Sequence, residues 1–297
     1  MRKSGRLLSA IILFLCMDSI PQKSTAQRSD ELTYQVFYDQ LSPFGKWLHD
    51  PVNGYVWVPK TEKNFRPYFT NGSWKMTEYG STWVSQYSWG WAPFHYGRWL
   101  YDYLYGWIWI PGTEWGPSWV VWRSDGTNYG WTPLTPGYDV HNSFSPNYYV
   151  PSDWWVFVPA RYLLNADFQK YAKTNTQITT PFVKNSRVLN GVYTKDNSNY
   201  ISGPRAQDYG KSMNTRVPVY TLTNTAKPGK VTVSNEQIML FKPSLTKAVN
   251  GKAPAPANSV AAEHPIGKFS AIGNGGTTVP KTAAKKKSTT VHKKKTK

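Results

Sequence analysis

Short aromatic and β-branched runs alternate with turn-forming stretches through the first half of the chain. Tyr55-Val56-Trp57-Val58 stops at Pro59, and Trp107-Ile108-Trp109-Ile110 stops at Pro111. Such runs are too short for helices and rich in residues that suit a pleated surface, so they predict strands. Between runs lie glycine, Asn-Gly and Asp-Pro, as in Asp50-Pro51-Val52-Asn53-Gly54, which predict tight turns.

The strand pattern repeats. Gly45-Lys46-Trp47 is followed by Gly54-Tyr55-Val56-Trp57, Gly72-Ser73-Trp74 by Gly80-Ser81-Thr82-Trp83, and Gly97-Arg98-Trp99 by Gly106-Trp107-Ile108-Trp109. The first tryptophans are 27 and 25 residues apart and the second ones 26 and 26. A fixed period of this size marks a repeated supersecondary unit. Each copy reads as a hairpin: Gly-x-Trp opens one strand, a turn follows, and Gly-x-x-Trp lies in the returning strand. A degenerate fourth copy aligns Trp119 and Gly126 with Trp47 and Gly54, with Tyr129 at the second tryptophan position. The glycines permit tight turns and let an indole lie across bare backbone of the neighbouring strand.

The expected fold class is therefore mainly β. A meander of about four tryptophan-rich hairpins over 34–138, curled or barrel-like, precedes a small mainly-β module over 150–243 with one short helix at 160–173. Within that module, 153–158, 216–220, 230–233 and 237–241 read as strands, and 197–204 as a turn-rich link. Residues 244–297, rich in Ala, Pro, Gly, Thr and Lys, have too few large apolar side chains to offset the entropy of ordering and are expected to be disordered.

The first 26 residues carry a basic start (Arg2, Lys3, Arg6), an apolar stretch and a Ser24-Thr25-Ala26 boundary, the layout of a secretory signal peptide. Cys16 lies inside it, and Leu15 before it is larger than a lipoprotein boundary requires. Beyond residue 26 there is no cysteine, so disulfides, thiolate metal sites and cysteine nucleophiles drop out. The net charge of +18 is uneven: residues 242–297 contribute +11, the first 26 contribute +3, and the middle carries only +4.

The phrases Phe65-Arg66-Pro67-Tyr68, Gly90-Trp91-Ala92-Pro93-Phe94-His95-Tyr96-Gly97-Arg98-Trp99 and Trp115-Gly116-Pro117-Ser118-Trp119-Val120 resemble those of an exported bacterial family of unknown function, rich in Trp, Tyr and Gly repeats. The likeness covers roughly 34–136. It implies export and a repeat fold, and carries no activity with it. The Ser24-Thr25-Ala26-Gln27 boundary is similar to those of Bacteroidetes exported proteins, which implies a Gram-negative envelope: periplasm, outer membrane or exterior.

Candidate chemistry is sparse. No nucleophile elbow or phosphate loop appears. Asp102 with Glu114 is the carboxylate pair to examine for glycan cleavage. His49, His95 and His141 lack metal-site spacing, and His95 reads as a packed polar aromatic. No cofactor, metal ligand or catalytic residue is expected. The leading expectation is a non-enzymatic envelope protein, an aromatic β scaffold whose Lys285, Lys286, Lys287, Lys293, Lys294 and Lys295 contact an anionic polymer. The alternative is a glycan- or peptidoglycan-binding protein that uses Trp89, Trp91, Tyr103 and Trp115, which fall in links between repeats, as exposed platforms. Nucleic-acid binding through the lysines is a third reading, disfavoured behind a signal peptide.

Overall fold

Four antiparallel hairpins pair as the repeat predicts: β1 (Gly45–Asp50) with β2 (Gly54–Pro59), β3 (Gly72–Thr77) with β4 (Gly80–Ser85), β5 (Tyr96–Asp102) with β6 (Gly106–Trp115), and β7 (Val120–Ser124) with β8 (Asn128–Pro133). The structure, a computed structural model, describes residues 34–138, 150–189, 191–195, 198–245 and 255–267. The chain divides into Met1–Glu31, outside the described residues, and one compact unit, Leu32–Lys297. The expected signal segment thus lies outside the described residues.

In every hairpin two tryptophans stand directly opposite: Trp47 and Trp57, Trp74 and Trp83, Trp99 and Trp109, Trp122 and Trp131. The repeat glycines make room for the second of each pair. A Cβ on Gly45 would lie 2.5 Å from Trp57 Nε1, one on Gly97 2.8 Å from Trp109 Nε1, and one on Gly72 would overlap the Trp83 ring. Bare backbone at these positions lets the partner strand's indole lie flat across it.

The fourth copy is displaced from the expected alignment. Trp122 and Trp131 form its pair, whereas Trp119 precedes the strand and Tyr129 faces Ser124. Gly126, at φ +92°, belongs to the turn and does not open the returning strand, a place taken by Asn128.

The hairpins do not run as one meander, and the sheets do not close into a barrel among the described residues. Hairpins 1 and 3 join through β2 and β6 at Trp57 and Trp109, so Trp47, Trp57, Trp109 and Trp99 form one row across four strands. Paired positions share a face, and this face is covered by helix α1 (Gln35–Leu41): Phe37 meets Trp109 edge-on at 5.1 Å, Tyr38 meets Trp47 at 4.7 Å, and Trp57 Nε1 donates to the Leu41 carbonyl at 3.1 Å. Hairpins 2 and 4 lie in different sheets and meet face to face, with Trp74 at 4.6 Å from Trp122 and 5.4 Å from Trp131.

The expected second module is not separate. β9 (Val156–Pro159) and β10 (Arg187–Val188) extend the β7–β8 sheet to the order β10-β7-β8-β9. β11 (Val192–Lys195) pairs with β12 (Ser198–Ile201), which falls where a turn-rich link was expected. β15 (Gln237–Leu240) lies between β13 (Thr221–Asn224) and β14 (Thr232–Ser234). One hydrophobic cluster runs from Phe37 to Ile266 through both regions. Ser202 seals the junction: its carbonyl accepts from Ser81 N–H at 2.7 Å, while Ser81 Oγ donates to the Pro204 carbonyl at 2.8 Å.

The helix expected at 160–173 is replaced by 3₁₀ turns at Ala160–Tyr162 and Phe168–Tyr171. Their buried anchors Leu163 and Phe168 are five residues apart, a spacing that does not share a helix face. The helices of this region are α2 (Thr176–Asn185), capped by Asn175 accepting from Gln177 N–H, and α3 (Ala206–Met213).

The disordered tail is also corrected in part. Residues 255–267 are docked: β16 (Val260–Ala261) pairs parallel with β1 and makes the five-stranded order β16-β1-β2-β6-β5. Hydrogen bonds and two buried side chains, Pro256 and Ile266, hold this stretch despite its weak hydrophobicity.

Candidate functional site

All fifteen tryptophans are buried, none more than 8% exposed. This corrects the expected platform: Trp89, Trp91 and Trp115 are 3%, 1% and 8% exposed, because the links between hairpins cross the core instead of bulging from it. Trp89 lies between Tyr87 (4.3 Å, stacked) and Trp57 (5.1 Å), and Trp91 meets Phe241 at 4.9 Å. Tyr103, in the β5–β6 turn, is 76% exposed as expected. Lys285, Lys286, Lys287, Lys293, Lys294, Lys295 and His141 lie outside the described residues.

Asp102 and Glu114 are not brought together. Asp102 faces Gly106 at the turn, and Glu114 is near the far end of β6, on the order of 25 Å away at strand rise. His95 is fully packed: its ring stacks on Trp115 at 5.7 Å, and Nδ1 lies 2.9 Å from the Gly116 carbonyl. Burial holds its pKa down to about 4, assisted by the Lys242 charge and opposed by the Gly116 hydrogen bond. Among the described residues no three His, Cys, Asp or Glu side chains gather as a metal cluster, and no helix is long and apolar enough to cross a membrane.

The chemistry concentrates elsewhere, in a cleft of about 320 Å³ where the second region meets the ends of hairpins 2 and 3. The two-residue β3–β4 turn supplies Tyr79, the end of β6 supplies Thr113, Glu114 and Trp115, and β12 supplies Tyr200. Two half-buried lysines close it, Lys195 at the end of β11 and Lys242 just past β15. Both ammonium groups lie over the Tyr79 ring, at 4.1 Å and 4.7 Å from its centroid. Lys242 also sits 4.1 Å from the Trp115 centroid and donates to Tyr79 Oη at 3.4 Å. Ring quadrupoles attract the ammonium groups and hold two like charges at one place.

A second groove of about 500 Å³ lies across Thr113 and Glu114, lined by Tyr34, Arg98, Pro111 and Tyr138. The Arg98 guanidinium covers the Trp119 ring at 3.7 Å, and Nη1 donates to the Gly97 carbonyl at 2.8 Å. Desolvation raises the Glu114 pKa against the lowering pull of Arg98. Cationic side chains on aromatic faces thus flank the end of β6 on both sides.

Sequence reasoning missed Tyr79, Lys195, Tyr200 and Lys242. Tyr79 reads as a turn residue, and Lys242 counts with the basic tail. Only the docking of β11, β12 and the end of β15 onto hairpin 2 brings them together.

Residues 38–138 match the model of a family of unknown function (DUF6600). That stretch contains the four hairpins, with Tyr79, Glu114 and Trp115, while both cleft lysines lie outside it. No curated protein and no solved structure gives a match.

Proposed function

We propose that the protein is an exported, non-enzymatic component of the cell envelope whose tryptophan-packed β fold holds a rigid cleft for the anionic groups of an envelope glycan or polymer. The observation that carries this reading is the convergence of Lys195 and Lys242 on one tyrosine ring. Held there, the ammonium groups have little rotamer freedom left to lose, so an arriving carboxylate or phosphate meets donors already in position. An anion between them also relieves their mutual repulsion. Burial of every tryptophan supports the scaffold role over a tryptophan platform. Export rests on the basic and apolar start of the chain and its small-residue boundary.

The test is calorimetric titration of the full chain with a soluble polyuronate and with a neutral glucan of similar length. Lys195→Ala/Lys242→Ala should weaken polyuronate binding at least about tenfold at low salt, and the glucan should give no heat. A second variant changes Lys285, Lys286, Lys287, Lys293, Lys294 and Lys295 to Gln and measures the tail separately. If the cleft variant binds as the parent does and only the tail variant loses affinity, the cleft has no part in binding.

A further inference from the structure

The two turns at one end of the five-stranded sheet share an unusual use of aspartate. Asp50 ends β1 and Asp102 ends β5, the same position in hairpins 1 and 3. One oxygen of each holds its own turn. Asp50 Oδ2 accepts from Val52 N–H (3.2 Å) and Asn53 N–H (2.6 Å), and Asp102 Oδ1 accepts from Leu104 N–H (2.8 Å) and Tyr105 N–H (3.1 Å). At the matching position hairpins 2 and 4 carry a hydroxyl, Thr77 Oγ1 accepting from Tyr79 N–H and Ser124 Oγ from Gly126 N–H. The one carboxylate in the turn of hairpin 4, Asp125, is spent inside that turn on Thr127 and Asn128 N–H. The carboxylates of the odd hairpins therefore have an oxygen to spare.

Both spare oxygens are taken by the same stretch of chain. Asp50 Oδ1 accepts from Ile266 N–H at 2.8 Å, and Asp102 Oδ2 lies 2.8 Å from His264 Nε2. The His264 ring stacks with Tyr103 at 4.7 Å and with Tyr105 at 5.6 Å, and Tyr105 Oη accepts from Glu263 N–H at 2.7 Å. Asn53 Nδ2 donates to the Ile266 carbonyl at 3.1 Å, and Ala262 N–H to the His49 carbonyl at 3.0 Å. Between residues 255 and 267 only Pro256 and Ile266 are buried, and Val260 is 57% exposed. An extended segment added to a sheet edge, with one buried anchor and read by side chains at alternate positions, is how domains hold peptide ligands.

We propose that the edge of β1 and the turns of hairpins 1 and 3 form a peptide-binding site, and that residues 260–266 are its resident, exchangeable ligand. The site takes an extended segment with a histidine two residues before a branched aliphatic residue. Asp102, Tyr103 and Tyr105 read the histidine, and Asp50 with Asn53 clamps the backbone around the aliphatic anchor. Covalent tethering favours the chain's own segment through its high local concentration, so a free peptide enters only where that segment is weakened.

The experiment uses the full chain carrying His264→Ala/Ile266→Asp and a fluorescein-labelled synthetic peptide of residues 257–267, read by anisotropy. The variant should bind the peptide at least about tenfold more tightly than the parent chain, and a scrambled peptide should bind neither. Asp102→Asn placed in the same variant should weaken the peptide again. The proposal is overturned if the variant keeps the parent's near-ultraviolet circular dichroism yet takes no peptide. It is equally overturned if the variant loses that signal, since the segment is then part of the core, or if parent and variant bind the peptide alike.

Discussion

Hairpins 1 and 3 and hairpins 2 and 4 are copies of one unit put to two uses. In the odd pair the opposed tryptophans extend into a single row across β1-β2-β6-β5, covered by α1. In the even pair they face one another from separate sheets, Trp74 against Trp122 and Trp131. The opposed pair is constant, and so is the accommodating glycine in three of the four. What differs is the turn. Asp50 and Asp102 at the turns of the odd hairpins both hold the 260–266 segment, whereas in the even pair Glu78 of hairpin 2 takes the Leu222 N–H and Asp125 of hairpin 4 stays within its own turn. A repeat thus supplies a folding unit, and the residues at its turn decide what the unit joins.

The sharpest way to break this comparison is to empty one site in each arrangement. Trp74→Ala removes a ring that touches Tyr68, Trp83, Trp122 and Trp131 and should cost about 3–5 kcal/mol. Trp47→Ala, at the outer end of the row, should cost visibly less by urea denaturation followed with circular dichroism. Equal losses would mean that row and stack do not differ energetically.

His95 tests the junction between the two arrangements, because its carbonyl accepts from Gly116 N–H and Trp119 Nε1 on the way to hairpin 4. Its folded pKa of about 4 lies below the ordinary 6.5, so the unfolded chain takes up a proton first as pH falls. Its contribution is complete above pH 6.5 and is lost between pH 6.5 and 4, about 3 kcal/mol in all. His95→Gln should flatten that part of the stability profile, and an unchanged slope would show that the junction does not depend on the neutral imidazole.

Smaller effects separate the two kinds of glycine. Gly45→Ala drives a methyl group into Trp57 and the Val58 carbonyl and should cost about 2 kcal/mol or more. Gly54→Ala meets nothing within 4 Å but sits at φ +73°, for about 1 kcal/mol. Thermal melts of the two variants in the order Gly54→Ala below Gly45→Ala would contradict the packing role. Smallest is the indole nitrogen. Trp57→Phe loses the bond to the Leu41 carbonyl, about 1 kcal/mol beyond Trp47→Phe, whose Nε1 has no hydrogen-bond partner.

Three hairpins and the role of their glycines were legible in the repeated Gly-x-Trp and Gly-x-x-Trp phrases, whereas the direct opposition of the tryptophans emerged only from the strand register. The fourth was misaligned because one glycine can serve a turn or open a strand, and only the hydrogen bonds distinguish them. Trp89, Trp91 and Trp115 read as linkers, and a linker's path over or through the core is a tertiary property. The cleft was illegible for a related reason. Lys195 and Lys242 approach Tyr79 only after two distant strands have docked, and no local pattern records that. The segment at 260–266 escaped notice because its hold depends on backbone and polar contacts, to which a hydrophobicity argument is blind.

Complete burial of the indoles has an optical consequence. Fifteen chromophores shielded from water, several with ring centres about 5 Å apart, emit as a blue-shifted and mutually coupled set among which excitation migrates. Of these only Trp115 lines the lysine cleft, so a bound anion acts directly on one emitter of fifteen and its effect is diluted over the set. Intrinsic fluorescence is then an excellent gauge of whether this protein is folded and a nearly silent one of whether it is occupied.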